Sequence, residues 1–141
     1  MGKMIAAILR TMEFQLAQLN IALLLHPLDH PEIAPFVDAI DRINALAEAS
    51  PGFVWRLRSS PGNATDLTYP WSNDPFVVVN LSVWESPAAL KAYVYNSDHR
   101  PFLNRRTEFF EQPTKPHYVL WWIPAGHIPT LEEAAPRLER Y

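Results

Sequence analysis

His99 and Arg106 are the side chains of this sequence whose types and spacing best suit proton chemistry. A helix over this stretch places Arg106 within an aromatic stripe. The stripe consists of Phe102, Phe109 and Phe110. Arg106 could hold a carboxylate or enolate oxygen there while the His99 imidazole moves a proton. The structural alternative is that Arg106 stacks on Phe109 and pairs with a nearby glutamate, while His99 fills a first-turn position.

The other histidines give weaker signals. His26 and His30 have the four-residue spacing of a helical metal pair. Two prolines, Pro27 and Pro31, predict a loop instead, so no metal site is expected. His127 follows "WWIPAG" in a predicted turn, where it either makes loop-stabilising hydrogen bonds or approaches the mouth of a pocket. The chain has no cysteine, which excludes disulfides, thiolate zinc sites, iron–sulfur clusters and a cysteine nucleophile.

Two predicted strands form the sheet surface beside these candidate residues, and each strand has one aliphatic side and one side that mixes polar and apolar residues. Alternation along "FVVVNLSVWE" (76–85) separates an aliphatic side, predicted to lie under the helices, from a mixed side. The aliphatic side is Val77, Val79, Leu81 and Val83, and the mixed side is Phe76, Val78, Asn80, Ser82 and Trp84. The mixed side of the first strand is Phe14, Leu16, Gln18 and Asn20. Amides among apolar side chains indicate a ligand-sized chamber, and the alternative is a dimer interface with satisfied amides.

Hydrophobic periodicity predicts an α+β protein. Strands are predicted over 14–22, 52–58, 76–85 and 117–124, and helices over 31–49, 86–96, a stretch after residue 97, and from Thr130 onward. Pro136 is expected to kink or end the last helix. The order is ferredoxin-like βαββαβ, with helices on one face of a four-stranded antiparallel sheet. Trp121 and Trp122 point to opposite sheet faces, and the sequence leaves open which of them faces the pocket.

Composition limits the partners. The 141 residues are 48% hydrophobic and 19% charged, which predicts one soluble domain over 12–141 after an N-terminal extension, 1–11. A net charge of −3 without a basic cluster argues against nucleic acid. The apolar run near the N-terminus is too short to span a membrane. The absence of cysteine fits a cytoplasmic location, which is expected here.

Several long stretches resemble a known family. They are "GFVWRL", "VNLSVWES", "YVYNSDHRPFLNRRTEFFE", "HYVLWWIPAGHIPTLEEA" and "INALAEASPGFVW". Together they resemble the domain-of-unknown-function family 3291, from about Phe14 to Leu138. That family is similar in fold to the antibiotic-biosynthesis-monooxygenase group of the dimeric α/β-barrel superfamily. The resemblance implies a homodimer closed through a bare sheet face, with a pocket between sheet and helices in each subunit, and it implies no particular activity.

The superfamily includes haem-degrading proteins, so the resemblance also raises haem. Asn20 matches the asparagine of that branch, and Tyr93 lies where an aromatic residue is expected. The histidine position falls near Leu103, and His99 lies about one turn too early. An axial ligand needs an accurately placed imidazole, so the expected cofactor is none, with haem as an alternative.

The sequence therefore predicts a homodimeric enzyme that acts on an apolar or aromatic small molecule by proton transfer or cofactor-independent oxygenation. The predicted catalytic residues are His99, Arg106 and Tyr93. The predicted substrate-binding residues are Gln18, Asn20, Asn80, Ser82, Trp84 and Phe102. A non-catalytic ligand-binding or interaction module is the alternative function, and a haem-binding or haem-degrading protein is the second.

Overall fold

A computed structural model describes residues 13–58, 74, 76–96 and 100–139 of the chain. The predicted N-terminal extension and the catalytic candidate His99 lie outside the described residues. For Phe102 the structure describes the helical backbone alone.

The four predicted strands are all present. They are β1 (Phe14–Leu23), β2 (Phe53–Arg56), β3 (Val77–Trp84) and β4 (Tyr118–Pro124). They form one antiparallel sheet in the order β2-β3-β1-β4. This order, with a helix after β1 and another after β3, is the predicted ferredoxin-like arrangement. The sheet pairs β1 with both β3 and β4, so its two central strands carry the residues that define each face.

The helices follow the predicted order with two differences in detail. They are α1 (Ala34–Ala49), α2 (Pro87–Asn96), α3 (Arg100–Asn104), α4 (Arg106–Phe109) and α5 (Leu131–Glu139). The single helix predicted after residue 97 is therefore two short helices in the described residues. Arg105 separates them because its backbone, at φ −98° and ψ 7°, leaves the helical region.

Of the two expectations for Pro136, that it would kink the last helix or end it, the second is wrong, since α5 continues to Glu139. The first stays a prediction. Proline removes one N–H, which would otherwise bond to the carbonyl of Glu132. Glu132 is exposed, so water can solvate that carbonyl. Packing holds the helix in place, because its inner residues are almost fully buried. They are Ala134, Ala135 and Leu138.

α5 covers the aliphatic face of the sheet. Its buried residues pack on Leu19, Val79, Leu81 and Val119. Small alanines at the contact let the helix approach a surface of branched aliphatic side chains closely. The aliphatic face is thus the bed for α5, whereas the sequence interpretation placed all the helices there.

α1 and α2 pack on the mixed face instead. Tyr93 of α2 stacks on Trp84, with ring centroids 5.1 Å apart, and its hydroxyl donates to the Ile43 carbonyl of α1 at 3.4 Å. Phe36 of α1 packs near Val78 of β3. Gln18, Ser82 and Trp84 are buried beneath the chain's own helices, whereas Asn80 is exposed. The first three are therefore unavailable to the dimer interface that was the alternative for this side of the sheet, and the homodimer itself stays a prediction. Alternation shows which residues share a face, but both faces are apolar enough to receive helices.

Glu133 anchors α5 to β4 and the following turn. It accepts hydrogen bonds from Trp121 Nε1 at 3.2 Å and pairs with His127 Nε2 at 2.6 Å. Arg137 lies 5.4 Å from the centre of the Trp121 ring. Partial burial by itself raises the pKa of Glu133, but the bonds from His127 and Trp121 outweigh it, so the pKa lies below its ordinary value of 4.5. His127 thus has the loop-stabilising role that the sequence offered as one of two readings.

This cluster predicts acid-sensitive stability. Because the folded-state pKa of Glu133 is lowered, its stabilisation is complete above the unfolded pKa and is lost as pH falls through the folded value. Glu133→Gln should lower the unfolding free energy by about 1 kcal/mol at pH 7, and this difference should shrink below pH ~4. Urea unfolding across pH measures it, with Glu132→Gln as the exposed neighbouring control. An equal effect of both variants at every pH would contradict the assignment.

Candidate functional site

Four of the predicted binding residues form one hydrogen-bonded group on the mixed face, here called the Gln18 cluster (Gln18, Asn80, Ser82 and Trp84). Gln18 Nε2 donates to Asn80 Oδ1 and to Ser82 Oγ, the latter at 2.8 Å. Trp84 Nε1 donates to the same Ser82 oxygen at 2.9 Å. Gln18 and Ser82 are buried, so these bonds satisfy polar groups that water cannot reach.

The strand register extends this cluster into three rows across β3, β1 and β4. The rows are Trp84–Leu16–Trp122, Ser82–Gln18–Leu120 and Asn80–Asn20–Tyr118. Burial decreases from β3 towards β4 within each of the first two rows. Trp84 is 1% exposed, whereas Trp122 is 57% exposed. The helices therefore cover the β3 side of these two rows and leave the β4 side accessible, while Asn80 of the third row is exposed.

The accessible part is here called the open floor (Asn20, Asn80, Tyr118, Leu120 and Trp122). Its apolar members all belong to β4 and are exposed by between 44% and 58%. Its two amides are neighbours across β1 and β3 and are also exposed. Trp122 thus lies on the face of the Gln18 cluster, while Trp121 lies on the α5 face. An exposed apolar surface beside a few polar groups marks an interaction surface, either for a ligand or for another protein chain.

Tyr93 forms a wall beside the cluster. Burial raises the pKa of Tyr93 to about 12, although the charge of Arg56 acts in the opposite direction. The phenol therefore stays protonated at neutral pH and can donate a hydrogen bond, but it cannot act as a base there. Its stacking on Trp84 connects α2 to the Gln18 cluster.

Gly52 lets α2 approach the sheet. Its φ of +84° lies in the region that favours glycine, and a Cβ there would lie 2.4 Å from the Cβ of Ala89. The Gly52 carbonyl also accepts a bond from the Glu85 N–H at 2.8 Å, just before α2 begins. This close contact sets the position from which Tyr93 reaches Trp84.

Arg106 lies on the surface, and its described hydrogen bond is from Nη1 to the Leu103 carbonyl at 2.9 Å. The neighbouring Arg105 is the residue that lies over Phe109, at 5.2 Å, and pairs with Glu108 at 2.8 Å. The contacts that the structural alternative expected of Arg106, stacking on Phe109 and pairing with a glutamate, are therefore made by Arg105. Among the described residues, no contact joins Arg106 to the Gln18 cluster. Its catalytic role, like that of His99, stays a prediction.

His117 is a candidate that the sequence interpretation missed. It lies just before β4, and its ring contacts the Tyr118 ring at a centroid distance of 5.5 Å. It also lines a shallow depression of about 430 Å³ together with residues 116 and 118–120. Its position directly before the edge strand was the available signal. Through its contact with Tyr118, this imidazole lies beside the open floor.

One known protein family matches nearly the whole chain. The family described as a domain of unknown function, DUF3291, matches residues 15–141. The chain belongs to the DUF3291 family. The match covers nearly the whole described chain and confirms the resemblance found in the sequence. No curated protein matches the sequence of this DUF3291 member.

Solved structures share the fold of this DUF3291 member. One, from Chloroflexus aurantiacus and named for antibiotic biosynthesis monooxygenases, is 14% identical, with a TM-score of 0.52 over 80% of this chain and 96% of that one. The protein PA3566 from Pseudomonas aeruginosa is 11% identical, with a TM-score of 0.51 over 80% and 95%. A variant of SnoaB, a cofactor-independent oxygenase from Streptomyces nogalater, is 15% identical, with a TM-score of 0.50 over 81% and 95%. At these identities the likeness shows the fold alone.

The chemistry available at the site of this DUF3291 member is that of neutral donors and acceptors. Among the described residues, no carboxylate or imidazole is hydrogen-bonded to the Gln18 cluster. The amides of Asn20 and Asn80 can bind a carbonyl, phenol or enolate oxygen. Within the described part of the chain, no helix is both long and apolar enough to cross a membrane.

Ser82→Ala should destabilise the protein by about 1–3 kcal/mol, because it leaves the buried Trp84 indole N–H without its acceptor. Urea denaturation measures this loss. The control is Asn20→Ala, which alters an exposed side chain and should change the unfolding free energy by less than about 0.5 kcal/mol. Equal stability of Ser82→Ala and the parent chain would show that these bonds contribute nothing to the site.

Proposed function

We propose that this protein binds an apolar, aromatic small molecule on the open floor and acts on it as an enzyme. The proposed reaction is proton transfer or cofactor-independent oxygenation of an enolisable compound. The observation that carries the proposal is the pairing of exposed amides, Asn20 and Asn80, with exposed apolar side chains on the adjacent strand. Exposed apolar surface with a few polar groups beside it is one composition of ligand-binding sites.

The proposed binding mode uses each part of the floor. The ring system of the ligand lies against Leu120 and Trp122, which removes apolar surface from water. Its oxygen accepts hydrogen bonds from Asn80 and Asn20, which become stronger as that oxygen gains negative charge. Preorganised donors aimed at a developing enolate lower the barrier to its formation. Asn80 is held in place for this role by Gln18.

Oxygenation would follow from the stabilised enolate. An electron-rich enolate carbon can transfer an electron to molecular oxygen and then form the carbon–oxygen bond, so the substrate supplies the electrons. SnoaB is named as a cofactor-independent oxygenase, and its fold likeness supports testing this reaction class here. His117 is the candidate proton acceptor among the described residues, and His99 is the candidate from the sequence. Tyr93, whose phenol stays protonated, would serve as a donor by exchanging its hydrogen bond to the Ile43 carbonyl for one to the ligand.

A non-catalytic binding module is the second candidate. It is favoured by the absence, within the described residues, of a titratable side chain bonded to the Gln18 cluster. In that case the same floor would hold a ligand without turnover. Oxygen consumption faster than that of the ligand alone separates the two functions, because a binding module does not accelerate the reaction.

Dithranol, an enolisable tricyclic ketone, is the probe for this proposal. We expect saturable binding, and oxygen uptake with conversion to the quinone at a rate above that of dithranol alone, which appears as a change in visible absorbance. Asn80→Leu should weaken binding by about 10-fold or more, since a hydrogen bond to a charged oxygen contributes roughly 1.5–3 kcal/mol. Fluorescence titration measures affinity, and an oxygen electrode measures turnover.

Asn104→Leu is the matched control, because Asn104 is exposed on α3 and takes no part in the floor. It should bind dithranol as the parent chain does. Equal affinity of both variants would contradict the proposed site. Binding that is lost in Asn80→Leu, with no oxygen uptake by the parent chain beyond that of dithranol alone, would retain the site and identify a binding module.

The family resemblance also supports a homodimer, which remains part of this proposal. Native mass spectrometry at micromolar concentration should give twice the mass of the 141-residue chain. Because α1 and α2 cover the Gln18 cluster, Trp84→Phe should leave this mass unchanged. A strictly monomeric parent chain would contradict the homodimer.

A further inference from the structure

Two histidines and a glutamate come together in the loop between β1 and α1. The rings of His26 and His30 stack with centroids 4.1 Å apart and planes at 13°. His26 Nε2 lies 2.8 Å from Glu32 Oε2. One possible ligand atom from each of the three residues lies within 4.8 Å of the others. The four-residue spacing of the two histidines suggested a pair on a helix, and the prolines predicted a loop without a metal site. The structure has the loop, and its turn brings the side chains together.

The loop that carries this cluster is well fixed. The His30 N–H donates to the Pro27 carbonyl at 2.9 Å, and the Ile33 N–H donates to the His30 carbonyl at 2.9 Å. Its ends, Leu24 and Ile33, are both buried in one hydrophobic group. Two prolines restrict the backbone further. The three side chains therefore start from a restricted loop, so little ordering is required when they bind an ion.

We propose that His26, His30 and Glu32 bind a divalent first-row transition-metal ion, with Zn²⁺ as the representative. Zn²⁺ bonds of about 2.0–2.2 Å at tetrahedral angles require ligand atoms about 3.3 Å apart. The possible ligand atoms lie within 4.8 Å of one another. Because the two stacked rings have nearly parallel planes, one imidazole must rotate so that the in-plane lone pairs of both rings point at the same ion. Two imidazoles and one carboxylate suit Zn²⁺, whereas Mg²⁺ and Ca²⁺ prefer oxygen ligands. Water would fill the fourth position.

Metal binding replaces the pairing of His26 Nε2 with Glu32 Oε2 where those atoms become ligands. It must also open a backbone hydrogen bond, which gives it a specific signature. The Glu32 backbone N–H donates to His30 Nδ1 at 3.1 Å. If Nδ1 binds the ion, its lone pair is no longer available. If Nε2 of the neutral ring binds the ion, Nδ1 carries the proton and ceases to be an acceptor. In either case the Glu32 amide loses its partner, and its NMR resonance should move.

The test is a calorimetric titration of the full, tag-free chain with Zn²⁺ after removal of metals by a chelator. We expect one ion per chain and no comparable binding of Mg²⁺. His26→Ala and His30→Ala should each weaken Zn²⁺ binding by about 10-fold or more, since even outer-shell changes at metal sites have effects of this size. All three positions lie in a surface loop, and circular dichroism checks that the variants fold.

His127→Ala is the matched control, because His127 also pairs with a glutamate but has no second imidazole in the described residues around it. It should bind Zn²⁺ as the parent chain does. In the parent chain, Zn²⁺ should shift the Glu32 amide resonance. Unchanged affinity in the His26→Ala/His30→Ala double variant, or saturation without a shift at Glu32, would overturn the proposal. This inference does not depend on the proposed function.

Discussion

The buried amide of Gln18 imposes the constraint on which the site depends. A buried amide must find hydrogen-bond partners, and Gln18 finds them on β3 in Asn80 and Ser82. A register slip of one residue would move Gln18 to the aliphatic face, where α5 packs. The bonds therefore favour one pairing of β1 with β3. They also fix Ser82 as the acceptor for Trp84, on which Tyr93 and α2 rest.

Coverage of the mixed face follows from this arrangement. The large rings of Trp84 and Tyr93 provide the contact between α2 and β3, while α1 packs beside them. β4 lies on the far side of β1, so Leu120 and Trp122 remain exposed. On this sheet face, the helices therefore bury Ser82 and Trp84 of β3, while the β4 residues stay accessible to solvent. The amides lie where the two sides meet.

Much of this fold could be predicted from alternation, since strand period assigns residues to faces directly. Four of the predicted binding residues do form one cluster. Which helices cover which face could not be predicted, because both faces carry enough apolar surface. Helical spacing predicted that Arg106 lies in the aromatic stripe. The helix is interrupted at Arg105, so residues before and after that position do not share one helical face. The cluster of His26 and His30 depends on a turn, whose geometry helical spacing cannot represent.

Trp121 and Trp122, which lie on opposite faces of β4, provide the most direct test of ligand binding on the open floor. Their indole N–H resonances can be followed by NMR while dithranol is added, together with the side-chain amide of Asn80. The account predicts that Trp122 and Asn80 shift and saturate together, while Trp121, which donates to Glu133 on the α5 face, stays unchanged. Saturable shifts at Trp121 with none at Trp122 or Asn80 would contradict it.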